Sequence, residues 1–102
     1  MEHWEPKDPD WEARVRESFA RQRAMTQLQA ELRDVAPGRI EIAAPFLEAW
    51  TQQHGFLHAG VTTTLLDTAC GFAAFSLMPP GAGVLAVEFH VSLMRPASAD
   101  WL

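Results

Sequence analysis

Apolar and polar positions alternate differently in successive stretches of the chain, and each pattern predicts its own element. Trp11, Val15, Phe19 and Met25 or Leu28 form a loose apolar stripe. Asp8-Pro9-Asp10 ahead of them reads as a helix start, an acidic cap with Pro at the first helical position. Glu12–Arg16 and Glu17–Arg21 add i,i+4 pairs on the wet side. The pattern predicts an amphipathic helix ending near residues 24–29, a lid packed on its own domain rather than a membrane-surface or partner-binding helix. Gln29–Val35 and Arg39–Ala44 read as two strands joined around Ala36-Pro37-Gly38. In the second of them Ile40, Ile42 and Ala44 alternate against Arg39, Glu41 and Ala43. Pro45–Leu57 has no clean period and reads as a loop. His58–Leu77 is predicted to be the central helix, stopped by Pro79-Pro80-Gly81. Val84–Met94 alternates most clearly of all, with Leu85, Val87, Phe89, Val91 and Leu93 on one face, and it predicts a long strand. The sum is an α+β layer, a helix on a sheet.

Composition narrows the function. The chain has 102 residues, 48% hydrophobic and 21% charged, which suits one small domain and argues against disorder. The formal net charge is −5 and the bases form no block, so binding nucleic acid through its phosphates is not expected. Met1–Asp10 is polar and acidic, unlike a secretory signal or transit peptide, and a cytoplasmic protein is the default expectation. Cys70 is the single cysteine, which excludes an intrachain disulfide and a cysteine zinc cluster. Its apolar neighbours make it buried filler rather than a reactive thiol. Nothing points to a metal site or a bound cofactor.

Charge is unevenly spread. Residues 1–50 carry ten acids and seven bases, whereas residues 51–102 carry only Asp67, Glu88, Arg95 and Asp100. Asp67 lies near the middle of the 20-residue run Ala59–Met78, long enough for a membrane span. A mid-membrane carboxylate is costly, and the run also holds three threonines in a row and two glycines. The expectation is a helix wrapped by protein on all sides, with no membrane. On the helical wheel Gly60, Thr64, Asp67, Gly71 and Ala74 share a small face, while Val61, Leu65, Phe72 and Phe75 fill another with bulk. Asp67 is then either hydrogen-bonded structurally or held in a cleft for chemistry. His58 and Gly60 open the helix, where free backbone N–H groups favour an oxyanion; the glycine could equally ease a tight turn. His58 and Asp67 are nine residues apart, which on one straight helix is about 13 Å and half a turn out of phase. If both act on one substrate they must come from two chains, at a dimer interface.

Gln52-Gln53-His54-Gly55-Phe56-Leu57-His58-Ala59-Gly60-Val61, followed by Leu65-Leu66-Asp67-Thr68-Ala69-Cys70-Gly71, resembles hotdog-fold acyl-CoA thioesterases of the phenylacetate-degradation (PaaI) type. The segment from Val87 to Ala97 is similar to the strand that follows the helix in that family. The resemblance covers residues 28–102, and loosely the N-terminal helix. It implies a hotdog fold, a long helix wrapped by a curved antiparallel sheet, in a homodimer or homotetramer. Residues 1–27 would be an N-terminal tail and amphipathic helix, and 28–102 a partial hotdog domain. The family hydrolyses acyl-CoA thioesters to free acid and CoA, with coenzyme A entering only as part of the substrate.

By that resemblance Asp67 matches the catalytic acid, which attacks the thioester or activates water. Ala59 stands where the family usually has Gly, whose backbone N–H points at the thioester oxygen from the partner chain. Gln52 matches a Gln or Asn that orients the water or thioester. His58 matches the motif histidine, as a direct participant or as a group that shapes the loop. Gly60, Thr63 and Thr64 would line the substrate pocket. A thioester needs no metal, because its carbonyl is already electrophilic and thiolate leaves readily; an acid on an apolar helix would be the stronger base or nucleophile. Trp50, Phe56, Phe72 and Phe75 suit an aromatic or medium acyl chain, or simply a core. The family continues for about three more strands, so the chain is expected to be a fragment of a longer gene product. The alternative function is a non-catalytic module that binds acyl-CoA or builds an oligomer. A hotdog dehydratase would carry a His-Phe-Pro-Gly opening or an Asp-x-x-x-x-His pair, and neither is present.

Overall fold

The computed structural model describes residues 4–102. Pro37-Gly38 reverses the chain between β1 (Glu31–Ala36) and β2 (Arg39–Ala43), which pair antiparallel. Gly38 has φ +74°, the left-handed conformation that Gly after Pro supplies in a tight turn. Its N–H donates to Ser76 Oγ at 2.9 Å, tying the hairpin tip to the end of the central helix. The predicted strand boundary shifts by two residues, because Gln29 adopts φ +55° and turns the chain before β1. An irregularity at Leu32/Asp34 offsets the register between the strands. Both Ala43 and Ala44 are buried, against the expected alternation. Ala44 exchanges backbone hydrogen bonds with Leu102 (3.0 and 2.8 Å), so the C-terminus covers the end of the strand.

The expected single N-terminal helix is two: α1 (Trp11–Ala20) and α2 (Arg23–Gln27). The break is at Gln22, whose backbone is extended (φ −82°, ψ 102°). Pro9 precedes the helix rather than opening it, and Asp10 is the cap without a side-chain cap bond. Asp8 Oδ1 instead accepts from the Asp10 N–H at 2.9 Å, and its carboxylate pairs with Arg14. Of the two helical ion pairs expected, Glu12–Arg16 forms, at 3.0 Å. The helices do pack as a lid: Val15 and Met25 are essentially fully buried, each contributing about 2 kcal/mol of burial.

The central helix, α3, spans Ala59–Phe75. Its bulky face is the one the wheel predicts, with Leu65 and Phe72 buried. Leu65 joins Met25, Leu28 and Ala44 in the core. Phe72 meets Phe19 with ring centroids 6.1 Å apart. The helix is not wrapped on all sides, however. Leu66, Asp67, Cys70 and Ala74 are exposed, so Cys70 is not the buried filler expected. No helix among the described residues is long and apolar enough to cross a membrane.

The predicted strand over Val84–Met94 does not form. Leu85, Val87 and Met94 are 92%, 99% and 89% exposed, and no described residue pairs with the segment. Alternation makes a stretch fit for a sheet, but a strand exists only where a neighbour takes its backbone N–H and C=O groups. Isolated bridges, Leu57 to Ala97 and Pro45 to Trp101, fasten the chain beyond it.

Candidate active site

His58 sits one residue before α3 in an extended conformation (φ −61°, ψ 132°), as an N-cap does. Its Nδ1 accepts from the Gly60 N–H at 2.8 Å, which requires the ring proton to be on Nε2. A Cβ on Gly60 would lie 3.0 Å from that Nδ1 and 3.3 Å from Cε1. The His-x-Gly spacing therefore has a local cause: the ring caps the helix by lying against a residue with no side chain. The Val61 N–H bonds the His58 carbonyl at 2.9 Å. The Ala59 N–H meets no acceptor among the described residues, so it is the donor left over at this helix start.

The loop before the helix presents His58 through backbone bonds. The His58 N–H donates to the Trp50 carbonyl at 2.9 Å, and Gln52 N–H to the Phe56 carbonyl at 2.8 Å. Gln52 Oε1 accepts from the His54 N–H at 2.6 Å, closing a turn in which Gly55 takes φ +86°. The Gln52 carbonyl oxygen is thus engaged in shaping its own loop. Thr63 and Thr64 donate to carbonyls four residues back, Ala59 and Gly60, at 2.9 and 2.8 Å.

Two clefts of about 510 Å³ each flank α3. One holds Asp67 with Thr64, Thr68, Gly71, Phe72 and Phe75 of α3, facing Ser18, Gln22 and Ala24 of the lid, with Gly83 and Val84. The other holds His58, Gly60, Val61 and Thr64, facing Ala24, Gln27, Leu28 and the Ala49–Thr51 stretch. Thr64 and Ala24 border both. Asp67 and the helix start thus open into separate clefts, as their separation along the helix requires. Gln52, Ala59 and Thr63 line neither. Phe72 and Phe75 line the Asp67 cleft and Trp50 the other, while Phe56 lines neither and is exposed.

Asp67 is exposed in the single chain and has no hydrogen-bond partner among the described residues. That corrects the expectation of a carboxylate desolvated by its apolar helix: within one chain the acid faces open water on the small-residue face. No group of His, Cys, Asp and Glu that could hold a metal ion occurs among the described residues. Gln22 and Ser18 escaped the sequence reading. They lie more than 40 positions from Asp67 in the chain, and no spacing rule links a helix break to a distant helix face.

The family model for the thioesterase superfamily matches residues 54–102. A thioesterase family protein from Silicibacter pomeroyi, known from its crystal structure, is 52% identical. The match covers 89% of this chain and 67% of that one, at a TM-score of 0.88. The E. coli PaaI protein of the phenylacetic acid degradation operon shares the fold at a TM-score of 0.79 and 18% identity, over 89% of this chain and 64% of that one. A protein of Halobacterium salinarum named as an esterase is 33% identical over 78 residues, 72% of this chain. The chain spans about half the length (52%) of that curated relative. The hairpin, the capped helix start and the helix that carries Asp67 are the hotdog elements expected from the sequence, and the chain belongs to the thioesterase superfamily.

Proposed function

We propose that the protein hydrolyses an acyl-CoA thioester to the free acid and CoA. The observation that carries this reading is the pairing of two unsatisfied groups on one helix: the Asp67 carboxylate and the Ala59 N–H at the start. Asp67 acts as nucleophile or general base. The Ala59 N–H receives the negative charge that develops on the thioester oxygen, and donors aimed at such charge typically give 10²–10³-fold in rate. Because the two groups stand eight residues apart on one helix, roughly 12 Å along its axis, one site needs Asp67 of one protomer and Ala59 of its partner. Dimerisation would also cover the small-residue face and exclude water from Asp67. Gln52 keeps its carboxamide N–H₂ for the thioester or water. His58 holds the helix start in shape, with Gly60, Thr63 and Thr64 beside it.

The test is CoA release in a thiol-trapping assay over phenylacetyl-, benzoyl- and medium-chain acyl-CoAs. Asp67→Asn should lower turnover at least 10²-fold while leaving the far-ultraviolet circular dichroism unchanged. Wild-type turnover in that variant would remove Asp67 from the mechanism. Tight acyl-CoA binding with no release by the wild-type chain would instead favour the non-catalytic binding module.

A further inference from the structure

The break between α1 and α2 brings Gln22 to the wall of the Asp67 cleft. Its backbone is held on both sides. The Gln22 N–H donates to the Phe19 carbonyl at 3.0 Å, and its own carbonyl accepts from Met25 and Thr26 at 3.1 and 3.3 Å. Its side chain is held too: Thr68 Oγ1 donates to Gln22 Oε1 at 2.9 Å. Thr68 is buried and adjoins Asp67 in sequence. Among the described residues this is the one side-chain to side-chain hydrogen bond between the lid and α3. A carboxamide has two ends. The acceptor end is anchored by Thr68, so the donor end, Nε2, is fixed in direction, and it meets no acceptor among the described residues. On the same cleft, Asp67 is an acceptor that meets no donor among the described residues. The cleft between them, at about 510 Å³, is large enough to admit a small organic group.

We propose that Gln22 is a substrate-positioning residue, which donates from Nε2 to an oxygen of the acyl-CoA outside the reacting carbonyl, with the thioester held against Asp67. This rests on the thioesterase reading. It gives the α1–α2 lid a part in the site beyond covering the core: the lid supplies the donor and α3 the acid.

Gln22→Glu separates this role from a merely structural one. The glutamate keeps an oxygen to accept from Thr68 and the same length, but at neutral pH it has no hydrogen to donate. Gln22→Ala removes both. The full 102-residue chain and both variants are assayed for phenylacetyl-CoA hydrolysis and titrated with a hydrolysis-resistant thioether analogue of that substrate. Thermal unfolding is followed in parallel. Both variants should raise KM and weaken analogue binding about tenfold, with kcat changed less than threefold. Gln22→Glu behaving as wild type, with Gln22→Ala impaired only as far as its stability falls, overturns the proposal. If the wild-type chain hydrolyses the thioester and Asp67→Asn abolishes this, while neither Gln22 variant changes KM or binding, the thioesterase reading stands and this one fails. If the wild-type chain neither binds nor hydrolyses, both fail.

Discussion

His58 shapes the start of α3 through a single hydrogen bond. Its neutral ring satisfies the Gly60 N–H, which leaves the Ala59 N–H as the unsatisfied donor of the first turn. Loss of a helix cap costs about 1 kcal/mol. His58→Ala should therefore lower stability by roughly that amount, while His58→Asn, a good cap with a side-chain oxygen, should retain most of it. Urea denaturation at pH 7 measures both. Equal stability of the two variants would show that the cap bond contributes nothing. The His-x-Gly spacing was legible in the sequence. Its cause was not, because the contact between the ring and the missing Cβ is a matter of ångströms at one turn.

Between elements, Arg14 is the fastener that ties α1 to the end of α3. Its guanidinium pairs with Asp8, lies 4.7 Å from the Phe75 ring centroid and reaches the Met78 carbonyl at 3.5 Å. The Arg14 hydrogen bond, and next the Asp10 N–H, hold the Asp8 carboxyl below its ordinary value. A depressed carboxyl stabilises the fold above its unfolded pKa, about 3.9, and that stability is lost as pH falls through the lower folded value. Asp8→Asn should thus be less stable than wild type at pH 7. The gap should narrow steadily below about pH 4, as paired denaturation curves at pH 7, 4 and 3 can show. A gap that stays constant with pH would assign the effect to packing. The sequence indicated a start signal at Asp8-Pro9-Asp10, but not that Asp8 works through Arg14, on the first turn of α1. It also missed the break at Gln22, although the six-residue step from Phe19 to Met25 is roughly 120° out of phase for one helix.

At the scale of the molecule, the two halves of the site face different ways. Asp67 and the helix start cannot meet within one chain, so the proposed site would be shared between two protomers. Mixing Asp67→Asn with Gln52→Ala protomers should restore part of the activity that each lacks alone, because hybrid dimers hold one intact site. An assay of subunit-exchanged mixtures measures this, and activity no higher than the average of the two parents would argue for a site within one protomer. The exposed Val84–Met94 segment belongs to the same scale. Its alternation survives in the sequence, yet a ladder is a property of two strands, and the described residues supply only one.

Local chemistry was decided by the sequence alone. Pro-Gly set the hairpin, the four-three spacing of small residues set one face of α3, and a single acid in an apolar run marked Asp67. Each of these depends on residues within a few positions of one another, or on the fixed 3.6-residue period of a helix. The tertiary structure decided the rest: that Asp67 faces solvent in the single chain, that Cys70 does too, and that Gln22 comes to the wall of the Asp67 cleft. Those depend on which elements lie against which, and burial is set by the neighbour that arrives, not by the residue that waits for it.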